Sequence, residues 1–193
     1  MFFPNAINEN DLFVHLKKYC EVYKDKIDKY RKEQEFDFSK MDESIKKIKD
    51  KIFTVKLGLE FFNANGKEGV KKFNQIGINN LMLDLKLKDI PETVYKAIKA
   101  LDDIEFGFLT IHGQGGKSMV LKAKKAAEEI KSNPKIMMVT ILTALNDNDL
   151  KDMGNNSTVD EQVEKLARVA KETNVGVVCS GQEAKLCLLY TSP

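Results

Sequence analysis

The feature that most constrains the fold of this chain is a repeated alternation of short apolar segments with amphipathic ones. The short segments have the length and composition of buried β-strands, and the segments between them place apolar residues three and four positions apart, as helices do. The alternation recurs at roughly 25–35 residues, which is typical of repeated βα units with parallel strands. The sequence therefore predicts an α/β protein with a parallel sheet and about six βα units.

The predicted elements can be placed on the chain. The strands are Phe36–Ser39, Ile52–Gly58, Asn80–Leu87, Phe106–His112, Ile136–Thr143 and Val175–Ser180. Helices are predicted from Gly66 to Ile76, from about Pro91, from Lys117 to Lys131, after the capping-box pattern Thr158–Glu161, and from Gln182. Residues 146–156 are predicted to form a polar loop.

Residues 1–35 differ from the rest of the chain. From Asn10, apolar residues recur with helical spacing, and the opposite face is rich in Lys, Asp and Glu. We predict a helical extension here. A solvated helix on the domain is the preferred interpretation, and a partner-binding helix is the alternative.

Composition excludes several classes of function. The 193 residues are 42% hydrophobic and 31% charged, and the net charge of +2 gives no indication of a nucleic-acid or anionic-membrane partner. No apolar run reaches the roughly 20 residues of a membrane span, and no signal-peptide pattern is present. The three cysteines form no CxxC pair, which favours reduced thiols in the cytoplasm and argues against a disulfide framework or a metal centre.

Polar residues collect where the predicted strands end. They are Asp37, Lys56, Asp84 with Lys86, His112, Thr143 and Ser180. The carboxyl ends of the strands are where a (β/α)₈ barrel holds its active site. A dinucleotide-binding sheet would need a Gly-rich turn after its first strand, and none is present. We therefore predict an incomplete (β/α)₈ barrel, two units short of closure.

The segment from Asp84 to Thr93 contains two carboxylates and an amine that could form an active site. Residues two apart share a face of a strand, so Asp84 and Lys86 are expected to point the same way, with Asp89 in the following loop. Surface ion pairs are the alternative, since exposed Lys–Asp pairs are common and weak. A sheet covered by helices on both faces favours a site, because buried charge needs a partner.

The segment resembles a known family. Asp-x-Lys-x-x-Asp-Ile-Pro-x-Thr, from Asp84 to Thr93, is similar to the signature of orotidine 5′-monophosphate (OMP) decarboxylases of the bacterial type. Further matches follow in order, from about Asp37 to Lys185: Val55–Gly58 with Phe61-Phe62, Ile111–Gly116, Val139–Thr143 and Gly176–Ala184.

The resemblance implies a role for each matching residue. Lys86 would protonate C6 of the pyrimidine, Asp84 would lie against the substrate carboxylate, and Lys56 would hold Asp84 and the ribose hydroxyls. Asp37 would bind the ribose, Thr143 would lie beside the nucleotide, and His112 would line the strand end. Asp89, Ile90 and Thr93 would complete the site of a partner subunit in a homodimer. For Lys56 and His112, a solvated lysine and a structural histidine remain the alternatives.

A physical argument supports these roles. Loss of CO₂ from C6 leaves a carbanion that the ring cannot delocalise, and no motif for an electron-sink cofactor is present, so we expect neither cofactor nor metal. A fixed cation can then stabilise the charge and supply the proton. A lysine with a reference pKa of about 10.4 stays charged between carboxylates.

The sequence also departs from the family. The Pro-Gly-x-Arg loop and the Gly-Arg turn that grip the phosphate in the family have no counterpart, and residues 186–193 look unrelated to it. We therefore expect a barrel domain over residues 36–185, truncated after the sixth strand, an unrelated tail, and an enzyme weakened or inactivated by the loss of phosphate binding. Two alternatives remain: a Mg²⁺-dependent sugar-phosphate enzyme of the same superfamily, and a catalytically dead interaction fragment.

Overall fold

The computed structural model describes residues 54–191, with side chains to residue 187, and that part is an alternation of strands and helices. The strands are β1 (Val55–Gly58), β2 (Leu81–Leu87), β3 (Phe108–His112), β4 (Lys135–Val139) and β5 (Gly176–Val178). The helices are α1 (Leu59–Gln75), α2 (Pro91–Lys99), α3 (Lys117–Glu128), α4 (Asp147–Asp152), α5 (Val159–Thr173) and α6 (Ala184–Thr191), with a 3₁₀ turn at Gly113–Gly115. The predicted extension over 1–35, the strand Phe36–Ser39 and Asp37 lie outside the described residues.

The five strands form one parallel sheet in the order β1-β2-β3-β4-β5. Each strand pairs with the next strand along the chain, as in the register Leu57↔Leu83, Leu83↔Leu109 and Leu109↔Ile136. A doubly wound sheet reverses its strand order at a switch point, whereas the strands of a barrel follow one another around the sheet. The prediction of barrel-type βα units is confirmed for the described part.

The described core lies between the sheet and its helices. Leu81, Leu83, Leu109, Ile111 and Met138 are fully buried strand residues, and their alternation and register place them on one face of the sheet. The helices cover them with apolar stripes, such as Val94 and Ile98 on α2 and Met119, Val120 and Ala123 on α3.

One helix prediction and one loop prediction were wrong. We expected the helix that follows β1 to begin at Gly66, but α1 begins at Leu59 and is interrupted at Gly66, where φ is 58° and ψ is −155°. Glycine adopts that conformation readily, so the helix can kink there. The polar loop expected at residues 146–156 contains α4, whose first turn is closed by a capping box between Asn146 and Asp149.

A second apolar cluster fixes the C-terminal part of the described chain. Cys187 of α6 is buried with Ile141, Leu150, Val163 and Ala167. Residues 186–191, which were expected to begin a tail, therefore continue a helix that packs on the domain. The division into residues 1–35, 36–185 and 186–193 stays a prediction. None of the helices in residues 54–191 has the length and apolar content that crossing a membrane requires.

Candidate active site

Two neighbouring strands bring a carboxylate and two amines into direct contact. Asp84 of β2 accepts a hydrogen bond from Lys56 Nζ of β1 at 2.8 Å through Oδ2. Its Oδ1 accepts a hydrogen bond from Lys86 Nζ at 2.7 Å. Asp84 is only 7% exposed, whereas the side chains of Lys86 and Lys56 are 32% and 59% exposed. The structure thus describes a charged row, Lys56–Asp84–Lys86, whose carboxylate is buried and whose amines reach solvent.

The charged row lies at a bulge in β2. The register passes from Leu83↔Leu109 to Leu87↔Ile111, so Asp84, Leu85 and Lys86 lie opposite the single residue Thr110. Lys86 takes a left-handed conformation with φ of 48°, which costs a residue with a side chain about 1–2 kcal/mol. Bulges of this kind redirect side chains next to active sites. Asp84 and Lys86 meet as predicted, but through an irregular strand.

The Asp84 carboxyl is held ionised. Burial by itself raises its pKa, but hydrogen bonds from Lys56, Lys86 and Thr110 outweigh that effect and lower the pKa to about 2. The carboxylate therefore carries its charge throughout the physiological range and orients both amines.

His112 ends β3 beside the charged row. Its pKa is lowered, first by burial and then by the positive charges of Lys88 and Lys86, with Asp84 opposing the shift. Nδ1 is buried and finds no hydrogen-bond partner among the described residues. A neutral imidazole at this position is the form that burial favours.

The structure does not bring Asp89, Ile90 and Thr93 to the charged row of the same chain. All three are exposed, and Ile90 is 66% exposed. The Asp89 carboxylate instead accepts a hydrogen bond from the Ile90 N–H at 2.6 Å, just before α2 begins. Their expected role in a partner's site remains a prediction.

Thr143 lies apart from the charged row, at an open cleft of about 1150 Å³ beyond the carboxyl ends of β4 and β5. β4 ends at Val139, four residues earlier than predicted, so Thr143 is an exposed loop residue. Ser180 and Glu183 line the same cleft.

Sequence reasoning missed Thr110. Its hydroxyl donates a hydrogen bond to Asp84 Oδ1 at 2.9 Å and accepts one from the Lys86 N–H at 2.9 Å. A polar residue two positions before His112 in an apolar strand was the available signal, since a buried hydroxyl needs a partner. In residues 54–191, no group of three or more His, Cys, Asp or Glu side chains is arranged to hold a metal ion.

Sequential parallel strands with a charged row near their carboxyl ends define an α/β protein of the barrel type. The particular family follows from comparison with known proteins. The chain belongs to the orotidine 5′-phosphate decarboxylase / HUMPS family, whose model matches residues 36–190.

Curated relatives agree with this assignment. The chain is 45% identical over 140 residues to an orotidine 5′-phosphate decarboxylase of Sphingopyxis alaskensis, covering 72% of this chain and 61% of that protein. It is 41% identical over 135 residues to one of Buchnera aphidicola, covering 69% of this chain and 57% of the relative. The chain thus spans about three fifths of the length of these relatives.

Solved structures share the fold. The crystal structure of an orotidine 5′-phosphate decarboxylase from Lactobacillus acidophilus superposes with a TM-score of 0.66 at 35% identity, covering 78% of this chain and 72% of that one. An uncharacterized conserved protein from Geobacillus kaustophilus gives a TM-score of 0.69 at 28% identity, covering 76% and 71%.

Proposed function

We propose that this chain carries the acid–base site of an OMP decarboxylase, which releases CO₂ from OMP to form UMP in de novo pyrimidine biosynthesis. The observation that carries the proposal is the buried Asp84 carboxylate, held between Lys56 and Lys86 at 2.8 and 2.7 Å. The names of the curated relatives support the same activity.

The proposed chemistry follows from the charges. As CO₂ leaves C6, negative charge develops in an orbital that the pyrimidine ring cannot delocalise. The Lys86 ammonium would stabilise that charge and then donate its proton to C6. A preorganised cation in a water-poor site can contribute several kcal/mol to such a step, far more than in bulk water.

Asp84 and Lys56 would prepare Lys86 for this role. The carboxylate of Asp84, which is ionised because its pKa is about 2, favours the charged form of the neighbouring lysine. It would also lie against the substrate carboxylate, so departure of neutral CO₂ would relieve repulsion between two anions. Lys56 would hold Asp84 in place and bind the ribose hydroxyls.

The remaining predicted residues would bind the nucleotide. His112 lies within electrostatic reach of Lys86 and would line the strand end, and Thr143 would lie beside the nucleotide at the cleft beyond β4. Asp37 would bind the ribose. Lys56, Lys86 and Lys88 outnumber Asp84 in this region, which suits a substrate with a carboxylate and a phosphate.

We further propose a cytoplasmic homodimer in which each site is shared. Asp89, Ile90 and Thr93 are exposed, and the exposure of the large apolar Ile90 supports a contact to a second copy. In the dimer, Asp89 would extend the partner's charged row with a second carboxylate.

The test is the release of ¹³CO₂ from OMP labelled in its carboxylate. In whichever form releases the label, the purified chain or the chimera described below, Lys86→Ala should reduce the rate by about 10³-fold and Lys117→Ala should not change it. Lys117 is a matched control, because it forms an exposed ion pair with Glu172. A Lys86→Ala variant as active as the parent would refute the proposal.

Two further arms separate the alternatives. Turnover of a sugar phosphate that is lost on adding a chelator would favour the Mg²⁺-dependent alternative. If the chain alone is inactive, a chimera carrying the C-terminal region of the Sphingopyxis relative is assayed. An inactive but folded chimera would favour the interaction fragment.

A further inference from the structure

We propose that Thr110 is a positioning residue, whose hydroxyl fixes the bulge of β2 and thereby holds the Lys86 backbone and the Asp84 carboxylate in register. The consequence for catalysis rests on the function proposed above. The geometric part of the proposal does not.

The hydroxyl makes two hydrogen bonds of fixed direction. A threonine hydroxyl has one hydrogen to donate and lone pairs to accept with. Because the Lys86 N–H is a donor, Thr110 Oγ1 accepts from it, and its own hydrogen is left for Asp84 Oδ1. A single atom thus ties the main chain of residue 86 to the side chain of residue 84.

The bulge creates the need for this link. Three residues of β2 lie opposite Thr110 alone, and in the described sheet the Lys86 N–H goes to the Thr110 side chain where a regular ladder would supply a carbonyl of β3. The same residue, Lys86, has the left-handed φ of 48° and donates this N–H to the hydroxyl. Without the hydroxyl, both the N–H and one Asp84 hydrogen bond would lose their partner.

Water is poorly placed to replace the hydroxyl. Thr110 is 1% exposed and Asp84 is 7% exposed. The charged groups around the carboxylate are Lys56 on β1, Lys86 on β2, and His112 on β3 with Lys88 beyond it. The lysines carry ammonium groups, which donate and cannot accept, so none of them can take the place of Thr110 as acceptor for the Lys86 N–H.

Thr110→Val removes the hydroxyl at nearly constant shape, and Thr110→Ser retains it. Thr140→Val is the matched control, because Thr140 is also a buried threonine, and its hydroxyl donates to the Val178 carbonyl of β5 at 3.4 Å. Thr110→Ala replaces the valine variant if that variant does not fold. Each protein is examined as the full chain.

The first readout is structural and needs no activity. Carboxyl ¹³C NMR, assigned with Asp84→Asn, should show the Asp84 titration midpoint moved upward in Thr110→Val, restored in Thr110→Ser and unmoved in Thr140→Val. Exchange of the Lys86 amide should be at least tenfold faster in Thr110→Val alone. The proposal would be overturned if Thr110→Val, or Thr110→Ala in its place, had the same Asp84 titration midpoint and the same Lys86 amide exchange rate as the parent.

The second readout is kinetic and uses whichever form of the protein turns over OMP. Thr110→Val should lower kcat by about 10–100-fold with a smaller change in KM, because a displaced reacting group costs rate more than binding. Thr110→Ser should recover most of kcat. If the NMR changes appear while no form releases CO₂, the positioning role stands and the proposed function fails. A kcat unchanged by Thr110→Val would overturn the catalytic part.

Discussion

Lys86 Nζ lies 2.7 Å from Oδ1 of Asp84, a residue only two positions earlier on the same strand. The contact is made where the Lys86 backbone turns left-handed and the strand departs from its regular register. Backbone conformation and charge placement are therefore linked at this point of the sheet. A change to either one is expected to disturb the other.

Asp84→Asn should destabilise the protein by about 1–3 kcal/mol at pH 7, since it removes a buried charged acceptor shared by two ammonium groups. Urea unfolding at equilibrium measures the change. Asp103→Asn is a matched control, because Asp103 also pairs with two lysines, Lys67 and Lys71, but is 47% exposed. Solvent screens the ion pairs of Asp103, so Asp103→Asn should lower the free energy of unfolding by clearly less than Asp84→Asn does. Equal losses would contradict a buried role for Asp84.

The stability advantage of the parent protein over Asp84→Asn should depend on pH in a defined direction. The folded-state pKa of Asp84 is lowered from 3.8 to about 2, so its ionised form stabilises the fold above pH 4. That contribution is lost as the pH falls towards 2. Urea unfolding of the parent and Asp84→Asn from pH 6 to pH 2.5 should show their difference shrinking below pH 4. A difference that grows on acidification would show that the pKa is raised instead.

His112 should titrate below its ordinary value of 6.5, since burial and the charges of Lys88 and Lys86 disfavour the imidazolium. In proton NMR, assigned against His15→Gln, Lys86→Met should raise the His112 pKa by removing a repulsive charge. Asp84→Asn should lower it. Because the unfolded imidazole binds a proton more readily, this residue should make the fold less stable as the pH falls through 6.5. A His112 titration midpoint that Lys86→Met does not change would contradict the proximity of His112 and Lys86.

The start of α5 should depend on its capping box. Thr158 accepts from the Glu161 N–H, and Glu161 accepts from the Thr158 N–H. Thr158→Ala should cost about 1 kcal/mol, and Thr158→Ser should be close to neutral, as measured by thermal or urea unfolding. A neutral alanine variant would show that packing alone holds the helix end.

The sequence was sufficient for features with a strong local pattern. The apolar runs around Leu83, Leu109 and Met138 located three parallel strands, and Thr158 with Glu161 located the start of α5. The spacing of Asp84 and Lys86 predicted that their side chains point the same way, and in the structure Lys86 Nζ lies 2.7 Å from Asp84 Oδ1.

Other features were hidden because they depend on pairing between segments. Thr110 becomes important only through the bulge opposite it, and no pattern within β3 encodes that register. The left-handed conformation of Lys86 could not be predicted from the sequence either, since lysine has no preference for it. The capping box at Asn146 and Asp149 was masked by the polar composition of its segment.

The central claim, that Lys86 transfers the proton at C6, is tested most directly by hydrogen exchange at C6 of UMP. The acid that protonates the C6 carbanion must also remove the C6 proton of the product in the reverse step. In D₂O, NMR should show that the catalytically competent form of the protein deuterates C6 of UMP faster than the same buffer does without protein. Lys86→Ala should abolish the difference, and Lys117→Ala should retain it. Exchange that persists undiminished in Lys86→Ala would contradict the account.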